Sequence, residues 1–316
     1  MNVAITGGTG FIGRKLVQRH LERGDHVRVL SRRPLVETEL PHSIEWFEGD
    51  LVVFDHIVSF VDGVDVLYHC AGQLTDESGM RSLHVGGTRV LVKGASRRIG
   101  HWVQLSSVGV YGPISIGLIT EQSPLNPVGE YEVTKAESDE LVIDAAREGA
   151  FSYSVLRPSN VYGEEMTNQS LFHLIAMIGR GLFFFVGRKG ASANYIHVDN
   201  VVEGLIRCGT IKGAKNKTFN LSDHCSMERF VGIICSELGC KYPKLRFPEF
   251  MLRVMAGILG KLPGCPLTLS RVDALTRRSV YSIKSIQEKL DYQLVVSMED
   301  GLRRLVSEYM KRRDNG

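Results

Sequence analysis

No apolar run in this 316-residue chain is long enough to span a bilayer. The longest, Phe250 to Leu262, is interrupted by Arg253 and excludes a transmembrane segment. The N-terminus lacks the charged and apolar regions of a signal peptide, because a structural strand begins almost at once. The six cysteines (Cys70, Cys208, Cys225, Cys235, Cys240 and Cys265) have neither metal-ligand nor disulfide spacing. That argues against a metal site and for a reducing compartment, so a soluble, cytoplasmic protein is expected. Charge of one sign is also missing. A net +3 is too small and too scattered to imply a nucleic-acid partner. Internal repeats, low-complexity tracts and flexible linkers are absent as well.

What is present is ordinary globular composition, 43% hydrophobic and 23% charged, in a chain long enough for an α/β domain with a smaller appended lobe. The most informative stretch is the first. Asn2-Val3-Ala4-Ile5-Thr6 reads as a buried strand and runs directly into Gly7-Gly8-Thr9-Gly10-Phe11-Ile12-Gly13. A helical pattern follows, with Leu16, Val17, His20 and Leu21 on one face. A glycine-rich turn can occur without a ligand, but between strand and helix it fits a dinucleotide pyrophosphate. Gly7 allows the tight turn, Gly10 lets backbone N–H groups approach phosphate, and Gly13 brings the helix close to the strand. The helix N-terminus adds unpaired N–H groups and partial positive charge.

Further strands are expected at His26–Leu30, Ile44–Glu48, Val64–His69, Trp102–Leu105, Ser152–Leu156 and Thr218–Leu221, alternating with helical segments. The pattern predicts an α/β fold with a doubly wound parallel sheet of about seven strands. The second strand ends in Ser31-Arg32-Arg33, with no carboxylate to grip an adenine ribose diol. A serine and two guanidinium groups suit a 2′-phosphate, which favours NADP while leaving NAD possible. Asp50, after the third strand, can accept from the adenine amino group. Cys70-Ala71-Gly72, after the fourth, are small enough for close approach to a cofactor.

One long helix spans Glu130–Arg147 and another about 82–98. Of ten tyrosines only Tyr131 has a lysine four residues later, Lys135, one helical turn away on the same face. An ammonium beside a phenol is expected to lower its pKa toward the working range. Ser107 at the end of the preceding strand gives the pair a catalytic context. Further on come the loop Arg157–Gly163, an apolar helix over Leu171–Arg180, and aromatic-rich Gly181–Gly187. Then follow a helix capped by Asp199 or Asn200, a helix over Met227–Leu238 ending at Gly239, and proline-broken helical segments from Tyr242 onward.

These residues together resemble the extended short-chain dehydrogenase/reductase family, in its NAD(P)-dependent epimerase/dehydratase branch. The likeness rests on the Thr6–Gly13 turn, Gly49-Asp50-Leu51, His69-Cys70-Ala71-Gly72 and Ser106-Ser107…Val110-Tyr111-Gly112. It continues through Tyr131…Lys135, Arg157-Pro158…Val161-Tyr162-Gly163 and Tyr195-Ile196-His197-Val198-Asp199. The resemblance implies a Rossmann domain over 1–165 and a smaller, mostly helical substrate lobe over 166–316, with 194–222 returning to the core sheet. It implies Tyr131 as general acid/base, Lys135 as its partner and a ligand of the nicotinamide ribose, and Ser107 as a donor to the substrate oxygen. Cofactor contacts are implied at Gly7, Gly10, Phe11, Ile12, Gly13, Ser31, Arg32, Arg33, Asp50, Leu51, Cys70, Ala71, Gly72, Tyr131, Lys135 and Pro158.

Two positions depart from the family's pattern. His84 stands where asparagine is usual and reads as a packed helix residue. Ala193 stands where many nucleotide-sugar members carry an arginine for the substrate's diphosphate, leaving Arg188 and Lys189 upstream. Asn160 lies where sugar-nucleotide members contact that diphosphate. The expected substrate is a nucleotide-activated sugar, epimerised or reduced at C4, bound by Ser107, Asn160 and Arg188. The alternative is an apolar alcohol or ketone of hydroxysteroid or dihydroflavonol type, which Ala193, Phe183–Phe185 and Phe250–Leu262 would suit. A homodimer through 82–98 and 131–147 is also implied.

Overall fold

Strand β1 (Asn2–Thr6) buries Val3, Ala4 and Ile5 completely, as a strand covered on both faces must. Its side chains alternate between two cores. Val3 and Ile5 meet Leu16 and Val17 of α1 (Phe11–Glu22), while Ala4 lies in the cluster of Phe60, Leu91 and Trp102 on the other side. The computed structural model of the protein describes residues 1–53, 55–74, 76–259 and 268–314.

Along the chain follow β2 (His26–Ser31), β3 (Glu45–Glu48), α2 (Ile57–Val61), β4 (Val64–His69), α3 (Glu77–Arg81), α4 (Thr88–Ala95) and β5 (Ile99–Leu105). After β6 (Ile116–Ile119), α5 (Glu130–Arg147) leads to β7 (Ser152–Pro158), β8 (Asn160–Tyr162), α6 (Ser170–Gly179), β9 (Phe185–Val186) and β10 (Ser192–His197). Then come α7 (Val198–Thr210), β11 (Lys217–Leu221), β12 (Asp223–Ser226), α8 (Met227–Leu238), β13 (Arg246–Phe247) and α9 (Glu249–Leu259). The described chain closes with α10 (Leu269–Thr276), β14 (Arg278–Tyr281), α11 (Lys284–Leu290) and α12 (Met298–Asp314).

Seven strands form one parallel sheet in the order β3-β2-β1-β4-β5-β7-β11, the doubly wound Rossmann arrangement. Strand order reverses between β1 and β4, so their carboxyl ends open a crevice where a ligand can sit. Within 194–222 it is β11 that joins this sheet, beside β7. Strand β10 goes elsewhere, pairing with β8 and β12 in a separate three-stranded sheet. The remaining lobe packs Phe172, Ile175, Phe230, Ile234, Leu302 and Leu305 around that small sheet.

Several local expectations are corrected. The helix expected over 82–98 is two pieces, a wide π-type turn over Ser82–Gly87 and then α4, and it continues directly from α3 just before it. It stops at Ala95 because Arg97 adopts a left-handed conformation (φ 58°). The cap of α7 is neither Asp199 nor Asn200. The His197 side chain accepts from the Asp199 N–H, and the Asn200 amide instead bonds the backbone of Val295 and Val296. The loop expected over 157–163 contains β8, and the stretch after Tyr242 contains β13 and β14. Pro263, Cys265, Pro266 and the end of the Phe250–Leu262 run lie outside the described residues. Among the described residues no helix is long and apolar enough to cross a membrane.

Candidate active site

The crevice is built first by glycines. Gly7 has φ +70°, and a Cβ there would sit 2.7 Å from the Ala71 nitrogen at the end of β4. A Cβ on Gly13 would overlap the Gly7 carbonyl, so the close approach of α1 to the turn requires glycine. Gly10 occupies the cap position of α1 with no side chain to fill it, and the first turn of α1 holds no acidic residue. Its N–H groups therefore face the crevice with their partial positive charge uncompensated. Phe11 packs beneath Gly163, and Ile12 is half-buried against the sheet core. This cradle fits a dinucleotide pyrophosphate.

The rim of the crevice holds the basic pair. Ser31 is buried at the end of β2 and accepts from the Arg33 N–H at 3.1 Å, while Arg32 is exposed. The Arg33 guanidinium reaches the Thr9 carbonyl at 3.5 Å, placing that cation against the glycine turn. Asp50 accepts from the Val52 N–H at 3.0 Å. Leu51 is buried against Gly87. Burial pushes the Cys70 thiol up to about 12, so it is neutral and no nucleophile. A Cβ on Gly72 would lie 3.5 Å from His84 Nε2 and 3.7 Å from Lys135 Nζ, which puts that glycine over the base of the site.

Helix α5 and the turn after β5 bring the polar groups together. Ser107 accepts from the Gly109 N–H at 3.1 Å and hydrogen-bonds the Tyr131 phenol. Lys135 is buried and donates to the Leu105 carbonyl at 2.8 Å. The expectation that Lys135 lowers the phenol's pKa is not met. Burial dominates and pushes Tyr131 up to about 12; the Ser107 hydrogen bond opposes this, and Glu132 and Asp139 add to it. Lys135 is itself pulled below its ordinary value by burial, with Asp139 resisting.

Two site residues escaped the sequence reading. His84 is buried, as expected, but its ring meets Tyr131 edge-on at 5.7 Å between centroids. Its Nε2 accepts from the Gln73 N–H at 2.9 Å, so Nδ1 carries the proton toward Thr134 Oγ1 at 2.8 Å. Burial, then the Lys135 charge, lowers His84 to about 4 and keeps it neutral. The second is Asp139, four residues beyond Lys135 on the same face of α5. Its Oδ2 accepts from Ser106 at 2.7 Å and from Arg157 at 3.1 Å, a buried ion pair that ties α5 to β7. The signal was there: 131, 135 and 139 repeat the helical step of four.

The expected substrate contacts are more dispersed. Pro158 is buried at the end of β7, and Asn160 is exposed on β8 opposite Tyr195. Arg188 lies on an exposed loop after β9 with its carbonyl bonded to Arg278 at 2.9 Å. Among the described residues no hydrogen bond or ion pair joins it to Ser107, Tyr131 or Lys135. Ala193 is 1% exposed, inside the aromatic cluster of Phe183, Phe185 and Phe230.

Comparison with known proteins places this geometry. The chain is 27% identical to a 3 beta-hydroxysteroid dehydrogenase/Delta 5-->4-isomerase of Mycobacterium tuberculosis, spanning 98% of this chain and 90% of that protein. It is 29% identical to sterol demethylase protein B of Methylococcus capsulatus, over 82% and 80% of the two chains. Among solved structures, UDP-glucuronic acid 4-epimerase from Bacillus cereus in complex with NAD has a TM-score of 0.76 at 19% identity, covering 99% of each chain. The structure named gox2253 has a TM-score of 0.80 at 21% identity, covering 98% of each. At such identities the likeness to solved structures is one of fold. Residues 3–222 match the NAD dependent epimerase/dehydratase family, and the chain is an enzyme of this family, an NAD(P)-dependent member of the extended short-chain dehydrogenases/reductases.

Proposed function

We propose that the protein interconverts a secondary alcohol and a ketone on an apolar, sterol-like substrate, with Ser107, Tyr131 and Lys135 as the catalytic set. The observation that carries the substrate class is Ala193. The position that would grip a sugar-nucleotide diphosphate holds a methyl group sealed in the lobe's core. The relatives named for hydroxysteroid and sterol chemistry, which align over most of this chain, support the same class. The rival reading, epimerisation or 4-keto reduction of a nucleotide sugar, keeps one favourable observation, the exposed Asn160 on β8.

In this reading the glycine turn, the α1 N-terminus, Asp50 and Gly72 hold the dinucleotide. Nicotinamide, when bound, supplies or accepts the hydride. The Tyr131 phenol is protonated at neutral pH and holds the proton that a carbonyl oxygen takes up on reduction. Ser107, already hydrogen-bonded to that phenol, donates to the same oxygen as it gains charge. Lys135 keeps a cation beneath the site and is positioned to turn from the Leu105 carbonyl toward a ribose hydroxyl. Ser31, Arg32 and Arg33 are assigned to a 2′-phosphate, which makes NADP the preferred cofactor. The cytoplasmic location, the division into a Rossmann core and a substrate lobe, and a homodimer through 82–98 and 131–147 belong to the same proposal.

The test is an initial-rate panel of 3β-hydroxysterols and 3-ketosteroids against UDP-glucose and UDP-glucuronic acid, each with both cofactors. Turnover confined to the steroids is expected; turnover confined to the UDP-sugars overturns the assignment. In parallel, Arg32→Ala and Arg33→Ala should each weaken NADPH binding about tenfold while leaving NADH within about twofold. Tighter binding of NADH by the unmodified protein would reverse the cofactor preference.

A further inference from the structure

Helix α9 presents an outward face with no function in the chemistry above. Phe250, Met251, Val254, Met255 and Ile258 recur at the spacing that places them on one side of a helix. They are 69%, 43%, 60%, 43% and 69% exposed. The opposite side, Leu252 and Ala256, is buried against Val186 and Val272, so the helix is already docked and its apolar stripe faces outward by construction. Its two charged side chains do not interrupt the stripe. Arg253 binds both Glu249 at 2.9 Å and Asp273 at 2.7 Å, so all three charges are held in ion pairs. Scattered exposed apolar residues need no explanation, but an unbroken stripe on one helix does.

Beyond these ion pairs, the unpaired charge near the stripe is basic. Lys241 and Lys244 lie just before β13, which runs through Pro248 into α9, and Arg188 and Lys189 follow its partner strand β9. All four are exposed, and none has an ion-pair partner among the described residues. The nearby carboxylates are already engaged, Glu228 by Arg246 at 2.7 Å and Glu249 and Asp273 by Arg253. The exposed face thus combines bulky apolar side chains with free cations.

We infer that α9 seats the substrate lobe on an anionic lipid bilayer, lying in the headgroup plane with the Phe250–Val254–Ile258 stripe in the acyl boundary. At 11 residues the helix is about 16 Å long, too short to span, so it lies flat. Apolar burial with basic flanks is the energetic design of an interfacial helix. A second copy of the chain is the poorer occupant, because a two-fold contact would set these cations against themselves. The inference does not depend on the substrate: vesicles alone are the probe.

The full chain is sedimented with phosphatidylcholine vesicles that either contain or lack phosphatidylglycerol. Binding should be about tenfold or more tighter with the anionic lipid and should weaken with added salt. Phe250→Ser/Val254→Ser/Ile258→Ser should lose about tenfold or more of that binding, with NADH affinity unchanged. Lys189→Glu/Lys244→Glu, confined to exposed lysines, provides a second readout and should abolish the preference for anionic lipid. No association of the unmodified protein with either vesicle overturns the inference. So does equal binding by both variants, or a solution dimer that the triple variant dissociates.

Discussion

Three histidines set how the fold responds to acid. His69, His84 and His101 are buried and neutral, lowered by burial from an ordinary 6.5 to about 3, about 4 and about 4. His69 accepts from Thr6 Oγ1 at 2.6 Å and donates to Thr88 Oγ1 at 2.9 Å, so the end of β1 is wired to the helix beside the site. Protonation favours the unfolded chain, where the pKa is higher. The stability these groups contribute is therefore complete above about 6.5 and is lost as pH falls toward 4. The melting temperature should drop steadily between pH 7 and pH 4.5, and His84→Gln should flatten part of that slope; a level profile would refute the assignment. Tyr131→Phe should lower turnover by about 10²- to 10⁴-fold with dinucleotide affinity nearly unchanged, which single-turnover rates beside a fluorescence titration would show. Tyr131 and Lys135 were legible from their spacing. The pKa of Tyr131 was not, because burial acts through residues distant in sequence and here outweighs the lowering effect of the Ser107 hydrogen bond.

At the scale of elements, the glycine turn is the part most fully written into local sequence. Strand, turn and helix lie within 22 residues; Gly10 and Gly13 answer contacts inside that span, while Gly7 answers the backbone of Ala71 beyond β4. Gly13→Ala places a Cβ against the Gly7 carbonyl, where backbone rather than a flexible side chain must yield. About 1–3 kcal/mol of stability should be lost. Dinucleotide affinity should fall by more than about tenfold, and a variant that binds NADPH and melts like the parent would show that α1 can retreat freely. Helix α5 was equally legible, at Glu130–Arg147, because it is long and starts after a glycine. The segment 77–95 was not. A helical period gives no sign of the extra residue in a π-type turn, which is held where Gly87 presses on Leu51 and His84 packs on Thr134.

For the molecule as a whole, the decisive joint is Asn200. Its side chain donates to the Val296 carbonyl at 2.7 Å and accepts from the N–H groups of Val295 and Val296, while Tyr292 donates to its carbonyl. These bonds fasten the segment before α12 to α7, and α12 in turn packs on α8 and the small sheet. Asn200→Ala leaves those buried backbone groups unpaired and should cost about 3 kcal/mol or more. Hydrogen exchange should accelerate over 291–306 before the large sheet opens; uniform exchange across both lobes would contradict this. Such joints, like the pairing of β6 with β14 or β9 with β13, join residues far apart in sequence through strands of two to four residues. Strands that short carry no periodicity to read. Local pattern was enough for the buried parallel strands, the turn that cradles phosphate and the helix carrying Tyr131 and Lys135, since each depends on neighbours a few residues away. Long-range packing alone put β10 in its own sheet, buried Ala193 among aromatics, set His84 against the phenol and turned the apolar side of α9 outward. Those outcomes depend on which surfaces are left over once the core has closed, and no short window of sequence contains that information.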